Sequence, residues 1–501
     1  MRRAVLNHEL AFWNGQADVA PVALFRIVFG LLAFNWFWQL LPNLTPFFTD
    51  QGMLPRGNQV DFFGASFTLL NAAGQTWQVA IFWVAALIAS AALAAGFHTR
   101  TAAFVTFIAL ASFSLRNPLI GDGSDQVFRV AAFWLGFTAA GDRWSVDAWL
   151  RTQRGDPPSG RGWALPIRIL ELQFAWIYLA TGLEKMGGGL WRDGLAVFYS
   201  LQLEHTFARP WDAPIADLVD LTRVATILTL VTELAFLPLA FIPYLRRLGR
   251  LIAVLMAAGL HVSIALFMNV GNFPSVMLAG LIPFLPPSWV QLIVARLRAW
   301  VPAAITTRLR VPAAIGVMLI PPAAGVRPVQ VPGWTGPWRG LAAIVLALFA
   351  LVVFSTSLPG YLAMPRPAPV DNTLQYADLM QKWNMFAPNP VTADGWMHIP
   401  AVLADGTTLD LATGGPPSDA PLVADPLYSR WTKVTEWIAS PDGVPYRQEY
   451  SRMYCRLRNL HLQPGQSPIV SFDLIYYERQ IPPPGGTPTP VRVITLNSHH
   501  C

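Results

Sequence analysis

Windows of about 20 mostly apolar residues recur along the chain, near 21–41, 77–96, 101–116, 127–141, 166–186, 217–242, 250–268, 274–290 and 338–358. Lipid offers no partner for exposed backbone groups, so a run of this length crosses hydrocarbon only as a helix that satisfies its own backbone. The pattern predicts a mainly α fold, a polytopic transmembrane helical bundle of about nine spans. Composition agrees: 53% of the residues are hydrophobic and 13% charged, against roughly 25% charged in an ordinary soluble domain. A net charge of +6 in a soluble chain would suggest nucleic acid. Here the basic residues lie mostly in the connections between apolar runs, so they report orientation, and no nucleic-acid partner is expected.

The charge bias sets the topology. With the N-terminus inside, the inner connections hold Arg2 and Arg3, Arg100, then Arg143, Arg151, Arg154 and Arg161, then Arg246, Arg247 and Arg250, and a last group from Arg296 to Arg327. The outer ones hold only Arg56, Arg116, Lys185, Arg192 and Arg209. The expected protein is integral to a bacterial inner membrane, with a cytoplasmic N-terminus and a periplasmic C-terminal region. The N-terminal run shows no small-residue cleavage pattern and reads as a retained first span. VPAAIGVMLIPPAAGV is short and proline-broken and reads as an interfacial segment.

Past Pro359 the character changes. We divide the chain into a bundle over 1–358 and a small extracytoplasmic α+β domain over 359–501. In the second, WMHIPAVLADGTTLDLA reads as two short strands around Asp405-Gly406, IVSFDLIYYERQ and VRVITLNS as further strands, and RQEYSRMYCRLRNLHL as a helix. The two cysteines, Cys455 and Cys501, have no metal-site spacing and permit one disulfide at most. Cys455 in a helical pattern reads as a small buried apolar residue, and Cys501 as part of a mobile tail. No metal motif is present in the sequence.

Ionisable groups inside spans are expensive and normally face a cavity or a partner. They occur here at Arg26, at Glu171, Glu184 and Lys185, at Glu233 and at His261. The stretch IYLATGLEKMGGGLW is the most informative. On a helix Lys185 shares its face with Thr181, Tyr178 and Phe174, a hydroxyl and aromatic stripe leading to an amine, whereas Glu184 is turned about 100° away. The three glycines end the helix and let backbone approach closely. Plainer readings stand beside this one: Lys185 as a snorkelling anchor, Glu233 and His261 as an internal hydrogen-bonded pair, Arg26 as an inner-boundary anchor, and QKWNMFAPNP as the segment that docks the outer domain.

FRIVFGLLAF with FFTDQGMLPR, DRWSVDAWL, YLATGLEKMGGGLWRDG, HVSIALFMNVGNFPSVMLAGLIPF and QKWNMFAPNP, in that order, resemble the HTTM family of membrane proteins, which includes vitamin K-dependent γ-glutamyl carboxylation among its activities. The resemblance covers most of the chain. It implies that Lys185, matching the second of two lysines in the carboxylases, is the base that deprotonates vitamin K hydroquinone. It implies a menaquinol-like hydroquinone as cofactor, O2 and CO2 as co-substrates, and a peptide glutamate as carboxyl acceptor. Glu184 stands where the carboxylases have the first lysine, RNPLIGDGSDQVFR lacks their histidine, and the outer domain is much smaller.

Two functions of different class follow as expectations. In the first the protein is a hydroquinone oxygenase or epoxidase, with or without coupled carboxylation. Its site is Lys185 with His261 and Glu233 as polar support, Tyr178, Phe174 and Thr181 on the cofactor face, and Asn117, Asn269 and Asn272 as donors near the outer mouth. In the second it is a non-catalytic lipid-binding or assembly factor. The partners are the bilayer, a hydrophobic quinone or lipid, and a peptide in the coupled case.

Overall fold

The computed structural model describes residues 2–58, 68–207, 209, 211, 213–299, 337–422, 429–459, 462 and 464–501. The expected interfacial segment VPAAIGVMLIPPAAGV lies outside them. The principal helices are α1 (Arg2–Asn14), α2 (Ala20–Trp38), α3 (Thr76–Ala95), α4 (Thr99–Arg116), α5 (Gly123–Leu135), α6 (Ala164–Met186), α7 (Val219–Phe241), α8 (Arg246–Phe267), α9 (Phe273–Gly280), α10 (Pro287–Ala299) and α11 (Pro337–Ser355). The helices thus follow the expected apolar windows.

Among the described residues five helices are long and apolar enough to cross a membrane, α2 with its continuation to Phe48, α3, α7, α8 and α11, and a sixth span results if the pair Phe273–Phe284 and Pro287–Leu297, bent by 119°, is counted as one. The other three of the nine expected spans differ for physical reasons. Helix α4 begins and ends near arginine, at Arg100 and Arg116. Helix α5 has 13 residues, about 20 Å of rise against a hydrocarbon core of about 30 Å. Helix α6 carries Arg168, Glu171, Glu184 and Lys185. The expectation of about nine crossings therefore exceeds what these helices establish, while the architecture is that of an integral membrane protein.

Arg26 is not a boundary anchor. It is fully buried, and its guanidinium donates to the carbonyls of Trp144 (2.5 Å) and Ala140 (3.4 Å). The first span is thereby tied to the loop carrying DRWSVDAWL. Gly96, at φ +71°, leaves the space that the guanidinium fills, since a Cβ there would lie 2.0 Å from Nη1.

The C-terminal region forms an antiparallel sheet of β1 (Ala393–His398), β2 (Pro400–Leu403), β3 (Thr408–Asp410), β4 (Ile469–Gln480) and β5 (Arg492–His500). Strand β4 is the spine: β1 and β2 pair end to end along one edge and β5 along the other. The turn at Asp405-Gly406 joins β2 to β3 as expected, with the Thr407 amide donating to the Asp405 carboxylate. Two helices, α12 (Trp431–Ala439) and α13 (Arg447–Asn459), complete the domain.

The two cysteine expectations are corrected. Cys455 on α13 is bonded to Cys501, 46 residues on, and the C-terminus continues strand β5, with the Cys501 amide donating to Val470. The tail is held by a ladder and a crosslink, two constraints that lie too far apart in sequence for local patterning to show.

The domain is fastened to the bundle through buried polar groups. Arg430 makes two hydrogen bonds of 2.9 Å to Asp125, whose carboxylate also accepts from the Trp36 indole at 2.6 Å. Trp383 is buried and donates to Gln381, which exchanges amide hydrogen bonds with Gln173 of α6. The docking expectation for QKWNMFAPNP thus holds for its tryptophan.

Candidate functional site

A cavity of about 850 Å³ opens where α6, α7 and α8 meet the C-terminal domain. On α6 the 3.6-residue repeat places Tyr178, Thr181 and Lys185 on one stripe, and all three line it. Lys185 is buried, with its Nζ 2.5 Å from Glu233 Oε1 on α7 and 4.5 Å from the centre of the Trp191 ring. Glu233 Oε2 is buried with no hydrogen-bond partner among the described residues. At the floor, His261 Nε2 on α8 shares a 2.8 Å hydrogen bond with the Tyr178 hydroxyl, and His261 Nδ1 has no partner among the described residues. Tyr178 in turn stacks on Phe236 at 4.4 Å.

The expected Glu233–His261 pair is therefore not what forms. Each takes a partner from α6 instead, the lysine and the tyrosine, because α6 packs against α7 and presents both groups to the same void. Nor is Lys185 a snorkelling anchor, since its ammonium is enclosed by Glu233 and Trp191. Glu184 is half-buried and is not among the cavity-lining residues.

Four residues expected at the site lie elsewhere. Phe174 shares the Lys185 stripe but sits eleven residues deeper, about 16 Å along the helix, below the floor. There it packs edge-on against Phe25 at 5.6 Å and fills the space over Gly280. Asn117 is fully buried as a cap, its amide donating to Phe47 and its carbonyl accepting from Leu119. Asn272 exchanges hydrogen bonds with Gln39, and Asn269 is buried beside the cavity with its backbone bonded to Phe207. These asparagines hold the loops that shape the mouth; their side chains do not line the cavity.

Of the three glycines that follow Met186, Gly188 has a definite role. Gly188 lies against Pro388 and Asn389, where an added Cβ would come within 1.6 Å of the Pro388 carbonyl, and Asn389 caps the next turn by accepting from the Leu190 amide at 2.9 Å. The segment NMFAPNP thus crosses directly over the end of α6, and Met385 and Phe386 line the cavity while Trp383 is buried behind them. Phe386 meets Phe207 edge-on at 5.5 Å, and its carbonyl accepts from the Trp191 indole.

The outer end contains residues that sequence reasoning missed: Lys433 and Glu436 of α12, and Tyr476 and Glu478 of β4. The alternation of Tyr476 and Glu478 on one strand face was a readable signal; that the face looks onto a membrane cavity was not. Burial pushes the Glu436 carboxyl up, and Lys433, 2.8 Å away, pulls it back. Among the described residues no cluster of three or more metal-ligating side chains occurs.

The HTTM domain family model matches residues 14–289. The chain belongs to the HTTM family. This is the family of vitamin K-dependent carboxylase-like membrane proteins. No curated protein and no solved structure matches the chain. The HTTM match takes in Lys185, Glu233 and His261, whereas NMFAPNP and the outer lining lie beyond it. The cavity therefore joins an HTTM bundle to a region outside the match.

Proposed function

We propose that this HTTM protein is a membrane enzyme that deprotonates a lipid-soluble hydroquinone at the Lys185–Glu233 pair. The observation that carries the reading is a neutral pair of buried, opposed ionisable groups at the edge of a large cavity, with one carboxylate oxygen still unengaged. Apolar walls from Ile177, Ile264, Phe267 and Met277 suit an aromatic ring and its tail. Glu233 Oε2 is an acceptor with no partner among the described residues, and His261 Nδ1 is a second unengaged polar atom beside it. The residues present thus fit a vitamin K-type, menaquinol-like cofactor, which supplies an acidic hydroxyl and, towards O2, reducing electrons.

The chain's own part is proton handling. Because the pair is neutral as a whole, shifting its proton from Nζ to Oε1 changes no net charge and leaves Lys185 a free amine able to accept the hydroxyl proton. Trp191 stacks against Nζ, and Tyr178 holds the His261 ring. Glu233, which the sequence suggested only as support, becomes the partner that makes a basic lysine feasible. CO2 capture and a peptide acceptor remain expectations of the family resemblance.

The Cys455–Cys501 disulfide supports an oxidising compartment for the C-terminal domain, the periplasm if the membrane is a bacterial inner membrane. It agrees with the charge bias that leaves the N-terminus cytoplasmic.

The test is oxygen-dependent formation of quinone epoxide from added vitamin K hydroquinone in membranes containing the protein. Product above a Lys185→Ala control supports the proposal. Its absence, with lipid still bound in the cavity, would leave the non-catalytic lipid-binding or assembly role.

A further inference from the structure

The cavity does not end at the membrane. Its outer end is walled by Phe207, Phe386 and Tyr476 and carries Lys433, Glu436 and Glu478. The Lys433 ammonium lies 4.3 Å from the Phe207 ring centre and 2.8 Å from Glu436 Oε2, while Glu436 Oε1 is buried with no partner among the described residues. Among the described residues Glu478 meets a cation at 4.0 Å, from Arg492, whose side chain is 74% exposed. Over the whole described lining the carboxylates are Asp122, Glu233, Glu436 and Glu478, and the ammonium groups are Lys185 and Lys433, each already paired with a glutamate.

We propose that the outer end of this cavity binds the ammonium group of an amphiphile, a primary amine whose apolar part extends toward the bundle, and that it disfavours carboxylates. Concave walls with an excess of one charge raise the local concentration of the opposite one. A ligand ammonium donates charge-assisted hydrogen bonds to Glu436 Oε1 and Glu478 and faces aromatic rings. Lys433 already shows that corner's chemistry, a cation held between a carboxylate and an aromatic face. A carboxylate ligand would meet like charge and would find both lysines engaged, a built-in discrimination. The inference holds whether or not a hydroquinone occupies the deep end.

The test uses the full-length chain in phosphatidylcholine nanodiscs, with n-octylamine and sodium octanoate as matched probes and thermal unfolding followed by tryptophan fluorescence at pH 7. Octylamine is expected to raise Tm saturably and octanoate not to. Glu436→Gln and Glu478→Gln should each weaken octylamine binding about tenfold, and Lys433→Gln should tighten it by removing the internal competitor. The readout involves no hydroquinone, so its outcome is separate from the fate of the hydroquinone proposal. Octanoate binding as tightly as octylamine, or octylamine binding unchanged in both glutamine variants, overturns the inference.

Discussion

Helix α6 carries a buried glutamate near one end and a buried lysine near the other, and their surroundings differ in one respect. Towards the N-terminal end of α6, Glu171 accepts from Arg168 at 2.5 Å through Oε1, and from Arg250 at 3.3 Å through Oε1 and 2.6 Å through Oε2, so both oxygens are engaged. The same arginines and Arg246 close over the Phe12 ring, and Arg246 also pairs with Glu9. At the C-terminal end of α6 the Lys185–Glu233 contact is equally short, but Glu233 Oε2 and His261 Nδ1 have no partner among the described residues and a cavity of about 850 Å³ lies beside them. Burial and charge are shared by both clusters; a carboxylate oxygen without a partner among the described residues, beside a cavity, is found at the second. That difference separates a strut, which ties α1, α6 and α8 together, from a site.

The comparison breaks first at Glu171. Removing a fully paired buried carboxylate leaves two guanidinium groups without a counterion, so Glu171→Ala should cost about 3–5 kcal/mol, measured by thermal or denaturant unfolding in detergent. Glu233→Ala should cost clearly less, because the cavity lets water reach the freed Lys185 ammonium. Equal losses at the two positions would mean that the outer pair is a strut too.

Activity should divide the other way. Lys185→Ala is expected to lower hydroquinone-dependent turnover by about 10²–10⁴-fold, the usual contribution of a positioned base. The double substitution Lys185→Met/Glu233→Leu should fold, since an apolar pair of similar volume often replaces a buried ion pair without loss, and yet show no turnover. Retained turnover in the double variant would remove the proton-transfer role while leaving the cavity intact.

How much of this was legible depends on the range of the interactions. The Lys185, Thr181 and Tyr178 stripe follows from helical period alone, and the structure places all three in the cavity. Glu233 and His261 were conspicuous as ionisable groups in apolar runs. Their partners were not, because Lys185 and Glu233 are 48 residues apart and nothing in α6 or α7 encodes which faces meet. Phe174 shows the converse: it lies on the right stripe but too deep, since period gives direction and not where a void ends. The asparagines were read as donors by composition, yet loop geometry uses Asn117 and Asn272 for caps and bridges. The outer lining was invisible because it is assembled by strand β4 and helix α12, elements far from the bundle in sequence. Span count suffered similarly: apolar content marks helices well, but the 13-residue length of α5 and the 119° bend after α9 are tertiary facts.

A third point on the comparison is the crosslink that closes the outer domain. Cys501→Ser should destabilise that domain by about 2–4 kcal/mol, the usual effect of opening a loop of this size, while leaving the Glu171 end untouched. Limited proteolysis of β5, with and without reductant, reads the effect. If the whole protein loses stability uniformly, bundle and outer domain are one cooperative unit and the cavity between them is rigid.

The smallest expected effect concerns a third buried carboxylate, Asp378, which joins the domain to α5 through Arg129 at 2.8 Å. It has one arginine where Glu171 has two, and burial pushes its carboxyl from 3.8 to about 6, with Arg129 opposing and Asp125 adding to the rise. A raised folded value means that the folded protein holds a proton the unfolded chain has released. The stability this contributes is fully present below about 3.8 and is lost as pH rises through about 6. Between those values Asp378 makes the protein more stable as pH falls, and Asp378→Asn should remove that contribution. The difference in Tm between the two proteins should therefore change across pH 4 to 7 and level off above it, by an amount worth at most about 3 kcal/mol. A difference independent of pH would mean that Arg129 already holds Asp378 ionised, making this junction a saturated strut like Glu171 and leaving the cavity cluster alone among the three with capacity to spare.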